Sequence, residues 1–237
     1  MLEARSLTKR YGDALALDAL DLTVPPGEVF CLLGPNGAGK TTTVNLFLGF
    51  TQPSAGEAWV CGVDSAKDPH RARSRLAYIP ETVTLYPSLS GLENLLYFSR
   101  LGDGLQRSDR DGLALLAQAG LDGVRAIKPV AGYSKGMRQK VGIAVALARN
   151  AGALLLDEPT SGLDPRAANE FAGSVEALRS RGVAVLMVTH DLFLARQCAQ
   201  RIGIMQRGRL VTVMDARSVD HVGLEQAYLA ASEEVAA

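Results

Sequence analysis

Hydrophobic and polar positions fall into three kinds of pattern along this chain. Residues 2–8 and 20–24 alternate in character, which predicts two short strands. Pro25, Pro26 and Gly27 break the chain after them. A continuous apolar run follows, Val29-Phe30-Cys31-Leu32-Leu33, as expected of a parallel-sheet strand buried on both faces. Residues 153–156 and 183–188 are two more runs of that kind, and Ala58-Trp59-Val60-Cys61 reads as a further strand. Between the two later runs, 165–181 has helical periodicity, with Pro165 at a good first helical position. A strand pair is expected at 201–206 and 209–213, turned at Arg207-Gly208. The tail from 215 is expected to be short and at most helical.

Residues 85–149 differ. They lack buried-strand runs, and leucines at 92, 95, 96, 113, 115 and 116 suggest helices. Strand, helix, strand with buried strands defines an α/β parallel-sheet core. Residues 85–149 are then a helical insertion between two parts of that core, 1–84 and 150–215, with 216–237 as a short tail.

Composition narrows the class. At 237 residues, 47% hydrophobic and 21% charged, the chain is neither disordered nor a disulfide scaffold. Its 25 basic and 25 acidic residues balance, which argues against a nucleic-acid partner. No apolar run approaches a membrane span, and the N-terminus lacks a signal-peptide core, so a cytosolic location is expected. Cys31, Cys61 and Cys198 fit neither zinc spacing nor a disulfide framework and are expected to pack as reduced apolar residues.

The buried run at 29–33 leads directly into Gly34-Pro35-Asn36-Gly37-Ala38-Gly39-Lys40-Thr41, which satisfies the phosphate-loop pattern G-x-x-x-x-G-K-S/T, with Thr42 next in line. Glycines let backbone N–H groups turn inward around phosphate oxygens, and the following helix adds its positive end. Lys40 is expected at the β and γ phosphates and the Thr41 hydroxyl on Mg²⁺. The companion is an apolar strand ending in Asp157-Glu158. Asp157 is expected to hold Mg²⁺. Glu158, one residue on, is expected to point elsewhere by strand alternation and to polarise the attacking water. No N-K-x-D guanine-reading pattern occurs.

These residues and those around them resemble the nucleotide-binding subunit of ATP-binding cassette (ABC) transporters over nearly the whole chain. Tyr11 matches the aromatic that stacks on adenine, 34–41 the phosphate loop, 157–158 the acidic strand end, Ser161-Gly162-Leu163-Asp164 the D-loop and His190 the switch histidine. Two positions depart from the commonest pattern. The signature L-S-G-G-Q reads Tyr133-Ser134-Lys135-Gly136-Met137, and the Q-loop glutamine is Glu81. Both variants resemble the group that serves ABC-2-type permeases, mostly exporters.

The resemblance implies a RecA-like phosphate-loop core with an antiparallel β subdomain and the inserted helical subdomain. It implies ATP and Mg²⁺ as cofactors, with Thr41, Asp157 and Glu81 toward the metal. It implies a head-to-tail dimer in which 34–41 of one copy faces Ser134-Lys135-Gly136 of the other, with Asp164 nearby. Glu158, His190 and Lys40 are the expected catalytic residues. Lys135 is either solvated or paired with phosphate or ribose of the facing site. A separate permease, docked just after Glu81 around 86–96, would hold the chain on the inner face of the membrane. The competing readings are a non-transport ABC ATPase, an ATP-binding regulatory module and a cassette for copper-site maturation.

Overall fold

The computed structural model describes residues 1–233, with the backbone alone at 103, 232 and 233. A four-stranded antiparallel sheet contains β1 (Leu2–Tyr11), β2 (Ala14–Val24), β4 (Ala55–Val60) and β5 (Val63–Asp64), in the order β2-β1-β4-β5. The second sheet has six strands: β3 (Val29–Leu33), β6 (Leu76–Ile79), β7 (Ala153–Asp157), β8 (Ala184–Thr189), β9 (Arg201–Gln206) and β10 (Arg209–Asp215). Their order is β10-β9-β3-β8-β7-β6; all neighbours are parallel except β9 and β10.

The apolar runs explain why the large sheet is covered on both sides. Along β3, Val29, Cys31 and Leu33 enter one core, while Phe30 and Leu32 enter the other. In β7 and β8, Leu154, Leu156, Val185 and Met187 join the first, and Leu155, Leu186 and Val188 the second. The second core is closed by the antiparallel sheet and by α1 (Lys40–Phe47) and α2 (Pro69–Ser74). The first is closed by α3 (Gly91–Asp103), α4 (Asp109–Gln118), α5 (Gly123–Ala126), α6 (Lys135–Ala148), α7 (Pro165–Ser180), α8 (Leu192–Cys198) and α9 (His221–Glu233).

Polar side chains start the helices between 91 and 148. Ser90 and Glu93 form a reciprocal capping box on α3, and Ser108, Asp122 and Ser134 cap α4, α5 and α6. The fully buried Asn94 holds the preceding loop: its side chain accepts from Tyr86 N–H and donates to the carbonyls of Tyr86 and Ser90.

Several elements exceed the sequence expectation. Strand β1 runs on to Tyr11 and β2 begins at Ala14, because irregular pairing between them interrupts the two-residue alternation. Strand β4 starts at Ala55 and ends before Cys61. Strand β6 has only four residues, too few to announce themselves, and α8 and α9 are full helices. The three cysteines are free, with Cys31 and Cys198 buried. Burial raises both thiols, Cys198 to about 12, so they remain protonated packing groups.

Candidate active site

The phosphate loop joins the end of β3 to the start of α1. Two of its three glycines, Gly34 and Gly39, are required by close backbone neighbours. A Cβ on Gly34 would stand 2.4 Å from the Met205 carbonyl oxygen. One on Gly39, where φ is +106°, would stand 2.6 Å from the Ala16 carbonyl oxygen. The loop is further tied to the β9–β10 turn by Gly208 N–H donating to Ala38 O at 2.9 Å. Lys40 is 7% exposed. Its ammonium folds back and donates to Gly34 O at 2.5 Å and Pro35 O at 3.1 Å. Burial lowers its pKa, while the Glu158 and Asp157 carboxylates pull in the opposite direction.

Asp157 is the last residue of β7. The Tyr78 hydroxyl on neighbouring β6 donates to its Oδ2 at 3.4 Å. Burial raises the Asp157 pKa and the charge of Glu158 raises it further. Tyr78 is pushed up to about 12 by its own burial and by that carboxylate. Glu158 follows in the left-handed region, with φ +43°. Its N–H donates to Val188 O at 2.9 Å. Its side chain is held at both oxygens: Oε2 accepts from Thr189 Oγ1 at 2.8 Å, and Oε1 lies 2.9 Å from His190 Nδ1.

Strand alternation is therefore not what separates the two carboxylates. The strand ends at Asp157, and the left-handed turn at Glu158 redirects its side chain. A non-glycine residue in this region is strained, and the fixed hydrogen bonds on all sides hold it there.

These elements surround one cavity of about 570 Å³. It is lined by Tyr11, by 35–42 of the phosphate loop and helix start, and by Glu81, Asp157 and Glu158. Gly34 lies buried beneath. Tyr11 is half-exposed at the end of β1, with Lys9 Nζ 4.8 Å from its ring centre. His190 is exposed and reaches the cavity through Glu158.

Ser134, Gly136 and Asp164 do not join them. They line a separate groove of about 600 Å³ beside α6 and α7. There Ser134 Oγ accepts from Met137 N–H at 3.3 Å and Asp164 Oδ1 from Ala167 N–H at 2.9 Å, each capping its helix. Lys135 lies at the start of α6 and is one-third exposed. Its ammonium is 4.0 Å from Glu81 Oε1 of the same chain.

Two residues at the site were not anticipated. Tyr78 sits three positions before Glu81 on a strand too short to recognise, and Thr189 ends β8 just past the apolar run at 183–188.

Among the described residues no group of three His, Cys, Asp or Glu side chains could hold a metal alone. The donor set nevertheless fits Mg²⁺ brought with phosphate oxygens. Asp157 is a half-buried carboxylate whose pKa is raised by burial and by Glu158, and the Thr41 hydroxyl lines the same cavity.

Comparison with known proteins agrees with this architecture. The family model described as ABC transporter matches residues 17–161. This chain belongs to that family, among its ATP-binding proteins. It is 37% identical over 218 residues to the uncharacterized ABC transporter ATP-binding protein YhcH of Bacillus subtilis, covering 92% of this chain and 70% of that one. It is 37% identical to the Nod factor export ATP-binding protein I of Burkholderia lata, over 89% of this chain and 69% of that one. It spans only 36% of the probable multidrug ABC transporter ATP-binding protein YbhF of Escherichia coli, at 35% identity. The dimeric post-hydrolysis structure of the cassette MJ0796, bound to ADP and Pi, superposes with a TM-score of 0.80 at 26% identity, over 92% of this chain and 99% of that one.

Proposed function

We propose that this chain is the ATP-hydrolysing subunit of an exporter, acting on a separate membrane permease of ABC-2 type. The observation that carries this reading is the gathering of 35–42, Asp157 and a doubly braced Glu158 around one cavity.

The chemistry follows from the positions. The ring of Tyr11, at the rim, offers a face for adenine. Backbone N–H groups of the phosphate loop and the start of α1 receive the phosphates. Lys40 exchanges the carbonyls of Gly34 and Pro35 for β and γ phosphate oxygens, which regains the charge pairing that burial weakens. Thr41, Asp157 and Glu81 are the residues that would hold Mg²⁺, which neutralises charge developing on the phosphoryl group. Glu158 takes the proton of the attacking water. His190 and Thr189 fix its two oxygens, and the free edge of the His190 ring is left to sense the γ-phosphate.

Ser134, Gly136 and Asp164 lie in their own groove, so they act on a nucleotide held by a second copy. A head-to-tail dimer brings the start of the 14-residue α6 to that nucleotide. The dimeric state of MJ0796 supports this arrangement, and the names of the Nod factor and multidrug relatives support export. Tyr86, Tyr97 and Phe98 form an exposed-edged aromatic cluster, with ring centres 5.1–5.9 Å apart, suited to the permease. The helical part, 85–149, is then the mobile arm between permease and nucleotide. No helix among the described residues is long and apolar enough to cross a membrane, so the permease holds the chain at the inner face.

Phosphate release by the purified chain separates this reading from a regulatory module. Steady hydrolysis of ATP is expected; tight ATP binding without phosphate release contradicts it. Binding to protein-free liposomes at physiological salt contradicts attachment through a permease.

A further inference from the structure

The two positions that depart from the common family pattern meet in this structure. Lys135 opens α6, and its Nζ lies 4.0 Å from Oε1 of Glu81, in the loop after β6. The same oxygen accepts from Ser161 Oγ at 3.0 Å. One helical turn further along α6, Gln139 Nε2 donates to the backbone carbonyl of Glu81 at 3.2 Å. Gln139 is 1% exposed, and its Oε1 has no hydrogen-bond partner. From this buried position the bond ties the Glu81 backbone to α6.

We propose that Lys135 and Ser161 are positioning residues for Glu81 of their own chain, setting how readily that carboxylate turns to the metal of the bound nucleotide. The inference rests on the ATP-site reading above. It assigns Lys135 to its own chain rather than to the facing nucleotide.

Three observations support it. First, the charges compensate: a carboxylate placed where the common residue is a neutral amide brings a negative charge beside ATP, and the lysine opposes it. Second, Glu81 lines the cavity wall while its Oε1 is turned to Ser161, so its carboxylate has two possible engagements. Third, Ser161 is joined to the catalytic turn, because its N–H donates to Glu158 O at 3.2 Å. A shift of Glu81 toward the metal therefore loosens a contact to the loop that carries Glu158. The pair is half-exposed, at 54% for Glu81 and 33% for Lys135, so it adds little to overall stability. Its effect is on the availability of one oxygen.

The test measures binding of a non-hydrolysable ATP analogue with and without Mg²⁺, by calorimetry. It compares the native chain, Lys135→Ala, Glu81→Gln and the double variant. Lys135 is on the surface at a helix start, and Ser161→Ala supplies a second, independent probe of the same carboxylate. Removing Lys135 frees Glu81, so the Mg²⁺ enhancement of analogue affinity should rise roughly two- to five-fold, as expected of coupled neighbouring charges. In the Glu81→Gln background the same replacement should leave the enhancement unchanged. Ser161→Ala should act in the same direction as Lys135→Ala. An equal effect of Lys135→Ala in both backgrounds overturns the proposal. So does a loss of affinity that is present without Mg²⁺, which would mark Lys135 as a direct phosphate ligand. Failure of the native chain to bind the analogue at all would instead overturn the ATP-site reading on which this rests.

Discussion

His190 Nδ1 lies 2.9 Å from Glu158 Oε1, while Thr189 Oγ1 binds the other oxygen of the same carboxylate at 2.8 Å. Two adjacent residues at the end of β8 thus brace the residue that follows β7. Parallel pairing makes this possible, because Asp157 is in register with Val188 and both strands end at the same edge. The brace sets the orientation of a carboxylate whose own backbone is in the left-handed region.

Replacing His190 with Ala removes one brace and the group proposed to sense the γ-phosphate. Turnover should fall by about 10²-fold or more, within the range for a positioned acid–base group. ATP affinity should be nearly unchanged, because the phosphate loop is untouched. Steady-state hydrolysis and nucleotide titration of one preparation measure both. A variant with native turnover would leave Glu158 without need of the ring.

Lys40→Ala should abolish measurable ATP binding, since charge-assisted bonds to phosphate are about twice as strong as neutral ones. The empty chain should remain folded. Its buried ammonium has a lowered pKa, so its charge is a cost in the absence of phosphate rather than a support. Calorimetry and thermal melting check the two halves of this expectation, and unchanged affinity would contradict the phosphate-loop assignment.

Asp157 predicts a pH dependence whose sign is fixed by its raised pKa. The folded chain holds this proton more tightly than the unfolded chain does. The carboxylate therefore costs stability above its folded pKa, and the cost is relieved as pH falls through that value. Asp157→Asn should raise the nucleotide-free melting midpoint near neutrality by roughly 1–3 °C, on the scale for a domain of this size. The gain should shrink on acidification. In the proposed metal role the proton also competes with the metal, so the Mg²⁺ needed for half-maximal hydrolysis should rise as pH falls toward the raised Asp157 pKa. A melting gain independent of pH would contradict the account.

Much of this arrangement was legible in the sequence because it rests on local chemistry. The run from Val29 to Leu33 marks a strand buried on both faces, and each of its side chains alternates between two cores as that requires. The Gly-rich loop, Asp157 and Glu158 were legible as residue types in order, and all reach one cavity. What was not legible depended on backbone irregularity or long-range pairing. The β1–β2 hairpin hid its length in bulges, with Ser6 and Ala19 at positive φ. Arg73 and Arg75 bind the carbonyls of Leu48 and Cys61, partners that lie far from them in the chain. The turn that aims Glu158 and the meeting of Lys135 with Glu81 are tertiary facts, and no spacing in the chain announces them.

The central claim is that Glu158 is the proton acceptor in a nucleotide shared between two copies. Glu158→Gln keeps the shape of the side chain and its bond from Thr189 while removing the proton acceptor. ATP should still bind, and Ser134 and Gly136 of the second copy should still close over it. Size-exclusion chromatography with ATP tests this directly. The account predicts that the variant elutes as an ATP-bound dimer with hydrolysis strongly reduced, while the native chain elutes mostly as monomer. A variant that binds ATP yet stays monomeric at high concentration would contradict the shared site, and one that hydrolyses at the native rate would contradict Glu158 as the base.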